Sequence, residues 1–176
     1  MPTVALRYRF RQPLDAPAEA AFAWCTDFGP SDGPLFAQRT ERSVRRLADG
    51  ALVLTDITYP NGRRRRIRRL VRIDPARRSW TNTHLDGPFR HSQFWYRIVP
   101  NGPRRSRLEF VGLALESVPR RLSGAQVAAL AAERGRADSG AWRRYLAPAL
   151  ARDLAARSPR GSPRPLRARR LARGRP

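Results

Sequence analysis

The 176-residue sequence contains no lysine, so all 36 of its basic side chains are arginine, set against 14 acidic residues. Surfaces selected to hold phosphate ordinarily use both lysine and arginine. An all-arginine set in a chain rich in alanine and proline therefore also fits a GC-biased coding sequence. The formal net charge of +22 nevertheless predicts attraction to RNA, DNA and anionic surfaces, with a strong dependence on salt concentration.

Cysteine and long apolar runs are almost as scarce. The single cysteine, Cys25, excludes an intramolecular disulfide, and its position on the apolar face of a predicted helix favours simple packing. Among the first ten residues, apolar side chains alternate with arginines, so these residues do not form the continuous apolar core of a signal peptide. No run of about 18 apolar residues exists, so no membrane-spanning segment is expected. These features predict a cytoplasmic location.

The amino-terminal residues show two different periodicities. In TVALRYRFRQPL, Leu6, Tyr8 and Phe10 share one face and arginines the other, which predicts a half-buried strand. In DAPAEAAFAWCTDF, apolar residues recur at helical spacing, and Asp15 is the predicted N-cap of a short helix. The following GPSDGPLF has too many helix breakers for more than a turn or a single helical turn.

Strands separated by turn signals are predicted over the middle of the chain, and a helical region follows them. The breaks carry Asp-Gly, Asn-Gly, Asp-Pro and Gly-Pro pairs, which join antiparallel neighbours. Ser123 and Gln126 form a capping-box pattern, whereas Gly135, Gly140 and Pro148 predict that this helical region is broken or kinked. The six predicted strands cover about 39–48, 51–60, 63–74, 78–85, 91–100 and 105–116.

A dense arginine cluster, NGRRRRIRRLVRI, begins at Asn61. Asn-Gly is the strongest short hairpin signal, and a two-residue turn there sets Asp56 opposite Ile67 and Leu52 opposite Val71. Because side chains alternate along a strand, the arginines divide between two faces. One set is expected either to form a solvated sheet surface or to contact nucleic acid or an anionic membrane. It consists of Arg64, Arg66 and Arg68.

The opposite face of this hairpin is expected to point towards the core. It carries Leu54 and Ile67 beside Arg65 and Arg69, and Asp56 lies diagonal to both arginines. Buried charges need partners, so the pattern predicts that Asp56 pairs with Arg65 or Arg69. Such a pair is expected either to be a structural ion pair or to anchor the polar end of a ligand.

The order of elements resembles the START-like superfamily, also called SRPBCC, which includes birch pollen allergen, polyketide cyclases and coenzyme Q-binding proteins. LDAPAEAAFAWCTDF is similar to the family's apolar strand followed by "aP.e.vf..l.D", and FWYRIVPNGPRRSRLEFVG is similar to its two late strands. The resemblance implies an α+β helix-grip fold. In this fold a curved seven-stranded antiparallel sheet wraps around a C-terminal helix, with two short helices after the first strand.

This resemblance implies a ligand-binding domain over residues 1–156 with an apolar cavity between the sheet and the last helix. Residues 157–176 carry eight arginines and no acid, which predicts a disordered basic tail. Aromatic and apolar side chains with a few polar tips are expected to line the cavity. The expected pocket residues are Tyr8, Phe10, Leu54, Asp56, Ile67, Arg69, Trp80, Phe94, Tyr96, Trp142 and Tyr145.

Candidate chemistry is limited. His84 and His91 flank a predicted turn, but Asp86 is the only nearby carboxylate, so a zinc site lacks ligands of the usual number and spacing. His84 or Asp56 acting as a general base is the catalytic alternative. The sequence has no phosphate-cradling glycine loop, nucleophile elbow or dinucleotide fingerprint, so neither a metal nor another cofactor is expected.

Three functions follow from these patterns. The first is noncatalytic binding or carriage of a hydrophobic small molecule, such as a lipid, a polyketide or a quinone. The second is a polyketide cyclase or dehydratase that uses the same cavity. The third is weak association with nucleic acid or an anionic membrane through the arginines.

Overall fold

A curved antiparallel sheet of seven strands packs against a long C-terminal helical segment in the computed structural model, which describes residues 1–29 and 40–157. This architecture confirms the predicted helix-grip fold. The spatial order of the strands is β1-β7-β6-β5-β4-β3-β2. The strands are β1 (Thr3–Leu14), β2 (Thr40–Ala48), β3 (Ala51–Thr58), β4 (Arg65–Asp74), β5 (Ser79–His84), β6 (Gln93–Pro100) and β7 (Ser106–Ser117).

The predicted second short helix and nearly all of the predicted tail fall outside the described residues. The first short helix, α1, covers Ala18–Thr26, and its N-cap is Pro17. The prediction that Asp15 caps this helix is wrong, because Asp15 is exposed and lies 3.5 Å from Arg105 instead. A residue that precedes proline is disfavoured in helical conformation, so Ala16 stays outside the helix, which begins only after Pro17.

The predicted hairpin around the arginine cluster is confirmed in turn and register. Thr58 pairs with Arg65, and the predicted pairing of Leu52 with Val71 is also present. Asn61 and Gly62 both have positive φ, 51° and 74°, and the N–H of Arg63 donates to the carbonyl of Pro60 at 3.0 Å. Such a primed turn matches the twist of the two strands it joins.

The C-terminal helical segment begins with the predicted capping box. The side chain of Ser123 accepts from the N–H of Gln126 at 3.3 Å, and the side chain of Gln126 accepts from the N–H of Ser123 at 2.9 Å. Helix α2 covers Gly124–Ala141, and helix α3 covers Ala147–Arg157.

The predicted break in this segment is a π-helical turn, Trp142–Leu146, which joins α2 to α3. Gly135 and Gly140, from which a break is also predicted, do not interrupt the helix, because both lie within α2. At the π turn the N–H of Ala147 donates to the carbonyl of Trp142, five residues earlier. Pro148 has no N–H with which to continue the α-helical pattern, so the change in hydrogen bonding coincides with the residue that cannot support the regular one.

Two hydrophobic clusters fill the space between the sheet and the helices. The larger one joins α1, α3 and the middle of the sheet through residues such as Trp24, Trp80 and Leu150. The smaller one lies against α2 and includes Tyr8 and Phe110. Of the helices in the described ranges, none is long and apolar enough to cross a membrane.

Candidate ligand-binding cavity

A cavity of about 310 Å³ lies where the two hydrophobic clusters meet, between the concave face of the sheet and the helices. Its wall is mainly aromatic. Trp80 and Tyr96 stack in parallel with ring centroids 4.8 Å apart, and Tyr96 also meets Phe110 edge-on at 5.0 Å. The aromatic lining residues are Tyr8, Trp24, Phe28, Trp80, Phe89, Phe94, Tyr96, Phe110 and Trp142.

One region of the cavity wall is built on a buried carboxylate that two arginines share. Asp56 is 6% exposed and accepts hydrogen bonds from Arg42, at 2.7 Å from Nε and 3.2 Å from Nη2. Arg69 donates to the same carboxylate from its Nη2. Both guanidinium groups meet at this one carboxylate, and both arginines reach the cavity.

The predicted pairing of Asp56 with Arg65 or Arg69 is confirmed for Arg69, whereas Arg65 is exposed. Arg42 as the second partner is absent from the sequence prediction. The turn at Gly50 aligns Ala48 with Ala51, but a β-bulge between Arg46 and Ala48 then shifts the register by one residue. This shift brings Arg42 directly opposite Asp56, and residue counting from the turn places Ser43 there instead.

Among the described residues, three polar atoms of the cavity wall are buried without a hydrogen-bond partner. They are Nε of Arg69, Oδ1 of Asn82 and Nδ1 of His84, and they belong to the adjacent strands β4 and β5. Burial, reinforced by the positive charge of Arg69, lowers the pKa of His84 to about 4, so its imidazole is neutral at pH 7. Unpaired polar groups in a buried site are costly, which favours a guest that hydrogen-bonds to them.

A second polar group lies where α2 faces β1. The hydroxyl of Tyr8 donates to Oδ2 of Asp138 at 2.7 Å, and burial raises the pKa of this carboxyl. Arg134 pairs with Glu116, 3.0 Å from Nη2 to Oε2, and its guanidinium lies 5.3 Å from the ring centre of Phe89. Tyr8, Phe89, Arg134 and Asp138 all line the cavity, so a carboxyl, a phenol and a guanidinium meet there.

Seven of the eleven expected pocket residues line the cavity and four do not. The absent ones are Phe10, which stacks on Phe110 at 4.5 Å, Asp56, which lies behind its arginines, half-buried Ile67, and Tyr145, which is 41% exposed. Ligand contact by any of the eleven stays a prediction. The seven lining residues are Tyr8, Leu54, Arg69, Trp80, Phe94, Tyr96 and Trp142.

The sequence does not predict several of the lining residues, because their strands and helices come together only in the folded chain. Asp138 is 130 positions from Tyr8, and its neighbours give no local sign of the contact. Asn82 alternates with Trp80 and His84 on β5, so its inward direction is readable from period two. In the described ranges, no three potential metal-binding side chains come together.

Of the arginine set, Arg66 and Arg68 lie on the exposed outer surface of the sheet, and exposed Arg64 precedes β4. Asp86, on the loop after β5, pairs with two of them, at 2.6 Å from Arg68 and 4.0 Å from Arg66. It also accepts from the backbone N–H of Arg68 at 2.7 Å. Contact of this set with an anionic partner stays a prediction.

Comparison with known proteins defines the class of fold. No family model and no curated protein matches the sequence. Solved structures do match, and among them are aromatase/cyclases and START superfamily proteins. The chain therefore has the helix-grip fold of START-like proteins, as the sequence resemblance implies.

Three of these structures show how similar the matched folds are to this chain. The Zhui aromatase/cyclase from a Streptomyces species superposes with a TM-score of 0.66 at 16% identity, covering 90% of this chain and 100% of that one. A START superfamily protein from Mycobacterium smegmatis superposes with a TM-score of 0.58 at 19% sequence identity, covering 78% of this chain and 96% of that one. Norcoclaurine synthase from Thalictrum flavum, in complex with dopamine and hydroxybenzaldehyde, superposes with a TM-score of 0.60 at 13% sequence identity, covering 88% of this chain and 89% of that one.

Proposed function

We propose that this protein binds or carries a hydrophobic small molecule that has a polar, oxygen-bearing end. The observation that carries the proposal is the junction of an aromatic cavity with three unpartnered polar atoms, those of Arg69, Asn82 and His84. Apolar walls with a few convergent polar groups are the usual construction of small-molecule sites.

The polar groups restrict the chemistry of the guest. Arg69 offers a donor, Asn82 an acceptor, and neutral His84 either one, depending on its tautomer. Arg42 and Arg69 both present guanidinium groups to the cavity, which favours a carboxylate, an enolate or a phenolate over a cation. The volume of about 310 Å³ lies at the lower end of the range for ligand pockets, which favours a compact ring system over an extended acyl chain.

A fluorescent probe with this chemistry tests the proposal. Anilinonaphthalene sulfonate combines fused aromatic rings with an anion, and its emission rises when it leaves water. The wild-type chain is expected to bind the probe, and Arg69→Gln to bind it at least about fivefold more weakly, because hydrogen bonds to charged groups contribute roughly 1.5–3 kcal/mol.

Arg65→Gln is the matched control, since it removes the same charge from an exposed position on the same strand. Its affinity for the probe is expected to equal that of the wild type. Equal losses in the two variants would mean that the probe responds to net charge, and no binding by the wild type would remove the proposal. Tyr96→Ala, which opens the aromatic wall, is expected to weaken both this probe and the uncharged dye Nile red.

A cyclase or dehydratase is the second candidate function, favoured by one observation. His84, neutral and unpartnered at Nδ1, stands next to Arg69, so a general base and a cation able to stabilise an oxyanion share one wall. Incubation with a linear poly-β-keto thioester, followed by absorbance of an aromatic product, tests it. Turnover that is lost in His84→Gln while probe binding persists would favour the enzyme, whereas absence of turnover in the wild type would leave the carrier.

A further inference from the structure

The outer face of the sheet, turned away from the helices, carries a second hollow that the internal cavity does not use. This hollow of about 280 Å³ lies beside Trp95, whose side chain is 38% exposed. The other three tryptophans are buried or half-buried. The outward side chains around the hollow are those of Ser79, Thr81, Trp95, Arg97, Glu109 and Val111.

The same outer face is strongly basic. Three carboxylates, Glu41, Asp74 and Glu109, share the outer face with the arginines in the described strands, and Asp86 reaches it from a loop. Glu109 is already engaged by Arg107 at 2.8 Å and Arg11 at 3.7 Å. The arginines that the strands place on this face are Arg7, Arg9, Arg11, Arg45, Arg66, Arg68, Arg72, Arg97 and Arg107.

Trp95 lies at the centre of this charge. The register aligns Arg9, Val111, Trp95, Thr81 and Arg72 in one row across five strands. Since neighbouring strands are roughly 4.8 Å apart, one arginine stands about 10 Å from the indole on each side. Among the described residues, neither of these two arginines has a carboxylate within ion-pair distance.

The composition of this face discriminates between partners. A second copy of the chain would bring two basic faces together and repel. A protein interface needs an apolar core of several residues. Val111 is the one aliphatic side chain in direct register with Trp95, and the outward aliphatic residues of the neighbouring rows, Leu113 and Val99, are half-buried and pair with Arg7 and Arg107. A single exposed ring between cations, next to a hollow with hydroxyl groups, instead matches how single-stranded nucleic acid is held.

We propose that this face binds single-stranded nucleic acid, with one base stacked on Trp95 in the hollow and the flanking phosphates near Arg9, Arg72 and Arg97. The stacking has little dependence on base identity because every base presents a π-face. This surface lies on the opposite side of the sheet from the ligand cavity, and the inference is independent of the function proposed for the cavity.

Fluorescence anisotropy of the full chain with labelled oligouridylate and oligothymidylate of about 12 nucleotides tests the proposal, a length within known site sizes. Trp95→Ala is expected to weaken binding by at least about fivefold, because one stacked base contributes roughly 1–3 kcal/mol. Trp95→Phe retains a stacking surface and is expected to keep most of the affinity. Comparison of the two oligomers shows whether RNA or DNA is preferred.

Two double variants of equal net charge distinguish an effect of overall charge from an effect of the site around Trp95. Arg9→Gln with Arg72→Gln removes two cations beside Trp95, and Arg120→Gln with Arg121→Gln removes two exposed cations from the loop before α2. The first variant is expected to lower the dependence of log affinity on log salt by about 1.4, at 0.7 for each phosphate contact. Equal effects of the two pairs, unchanged affinity in Trp95→Ala, or equally tight binding of a duplex would each overturn the proposal.

Discussion

Arg69 and His84 stand directly opposite each other on β4 and β5, and both side chains reach the cavity. The guanidinium group disfavours a second positive charge so close to it, and burial disfavours that charge as well. The pair therefore holds one permanent cation and one neutral imidazole at the same wall. This arrangement has a consequence for stability that can be measured.

The free energy of unfolding is expected to fall as the pH is lowered from about 6.5 towards 4. In the unfolded chain His84 takes up a proton near pH 6.5, whereas in the folded chain its pKa is about 4. Between these values the unfolded state binds more protons, so stability rises with pH, by at most about 1.4 kcal/mol per pH unit. Urea denaturation at pH 7 and pH 5 measures the difference.

His84→Gln is expected to lose much of this pH dependence, because it has no imidazole to protonate. His91→Gln removes an exposed histidine and is the matched control, with the wild-type dependence retained. An unaltered slope in His84→Gln would show that other groups cause the acid sensitivity.

Replacement of Asp56 by alanine is expected to destabilise the fold by about 3–5 kcal/mol, because it removes the buried carboxylate that Arg42 and Arg69 share. Guanidinium chloride denaturation measures the loss. Asp56→Asn keeps hydrogen-bond acceptors and is expected to cost less. Asp74→Ala, which removes an exposed pair with Arg77 and a hydrogen bond from the Arg77 N–H, is the control and should shift the midpoint much less. A small effect of Asp56→Ala would mean that water solvates the two arginines.

A methyl group at Gly112 is expected to disturb the pair formed by Tyr8 and Asp138. A Cβ there would lie 2.8 Å from Cζ of Tyr8 and 3.0 Å from Cε1 of Phe110, so both rings must move. Overpacking of this kind costs about 1–3 kcal/mol, and a thermal melt of Gly112→Ala measures it. Gly124→Ala has no neighbour within 4 Å and is expected to be neutral or slightly stabilising. Equal melting temperatures for the two variants would contradict this account.

The parts of the fold that the sequence predicts are those that local chemistry determines. The Asn61-Gly62 turn and strict alternation are enough to place Thr58 opposite Arg65, and the Ser123 capping box marks where α2 begins. In both cases the signal and the structure lie within a few residues of each other. Turn residues and caps act directly on the backbone beside them, which is why counting works there.

The candidate site depends on contacts that no local pattern contains. The partnership of Arg42 with Asp56 follows from a β-bulge at residue 47, and nothing in RSVRRLADG marks which residue is supernumerary. Tyr8 meets Asp138 because α2 crosses the sheet near β1, and the angle of that crossing depends on packing along the whole helix. The alternation of side chains along a strand correctly places Tyr96 and Trp80 on the inner face of the sheet. It does not predict which of the inward side chains line the cavity.

The π-helical turn at Trp142–Leu146 also bears on how the chain is to be aligned with other proteins. A π turn contains one residue more than an α turn over the same rise, so the last helical segment carries an insertion that its length alone does not reveal. Trp142 and Leu146 both line the cavity from within this turn, and in an α-helix the same four-residue spacing would rotate them differently relative to α3. Against a protein whose last helix is α-helical throughout, an alignment that opens no gap near residues 142–146 displaces the apolar positions of either α2 or α3 by one, and it assigns cavity residues to the wrong columns.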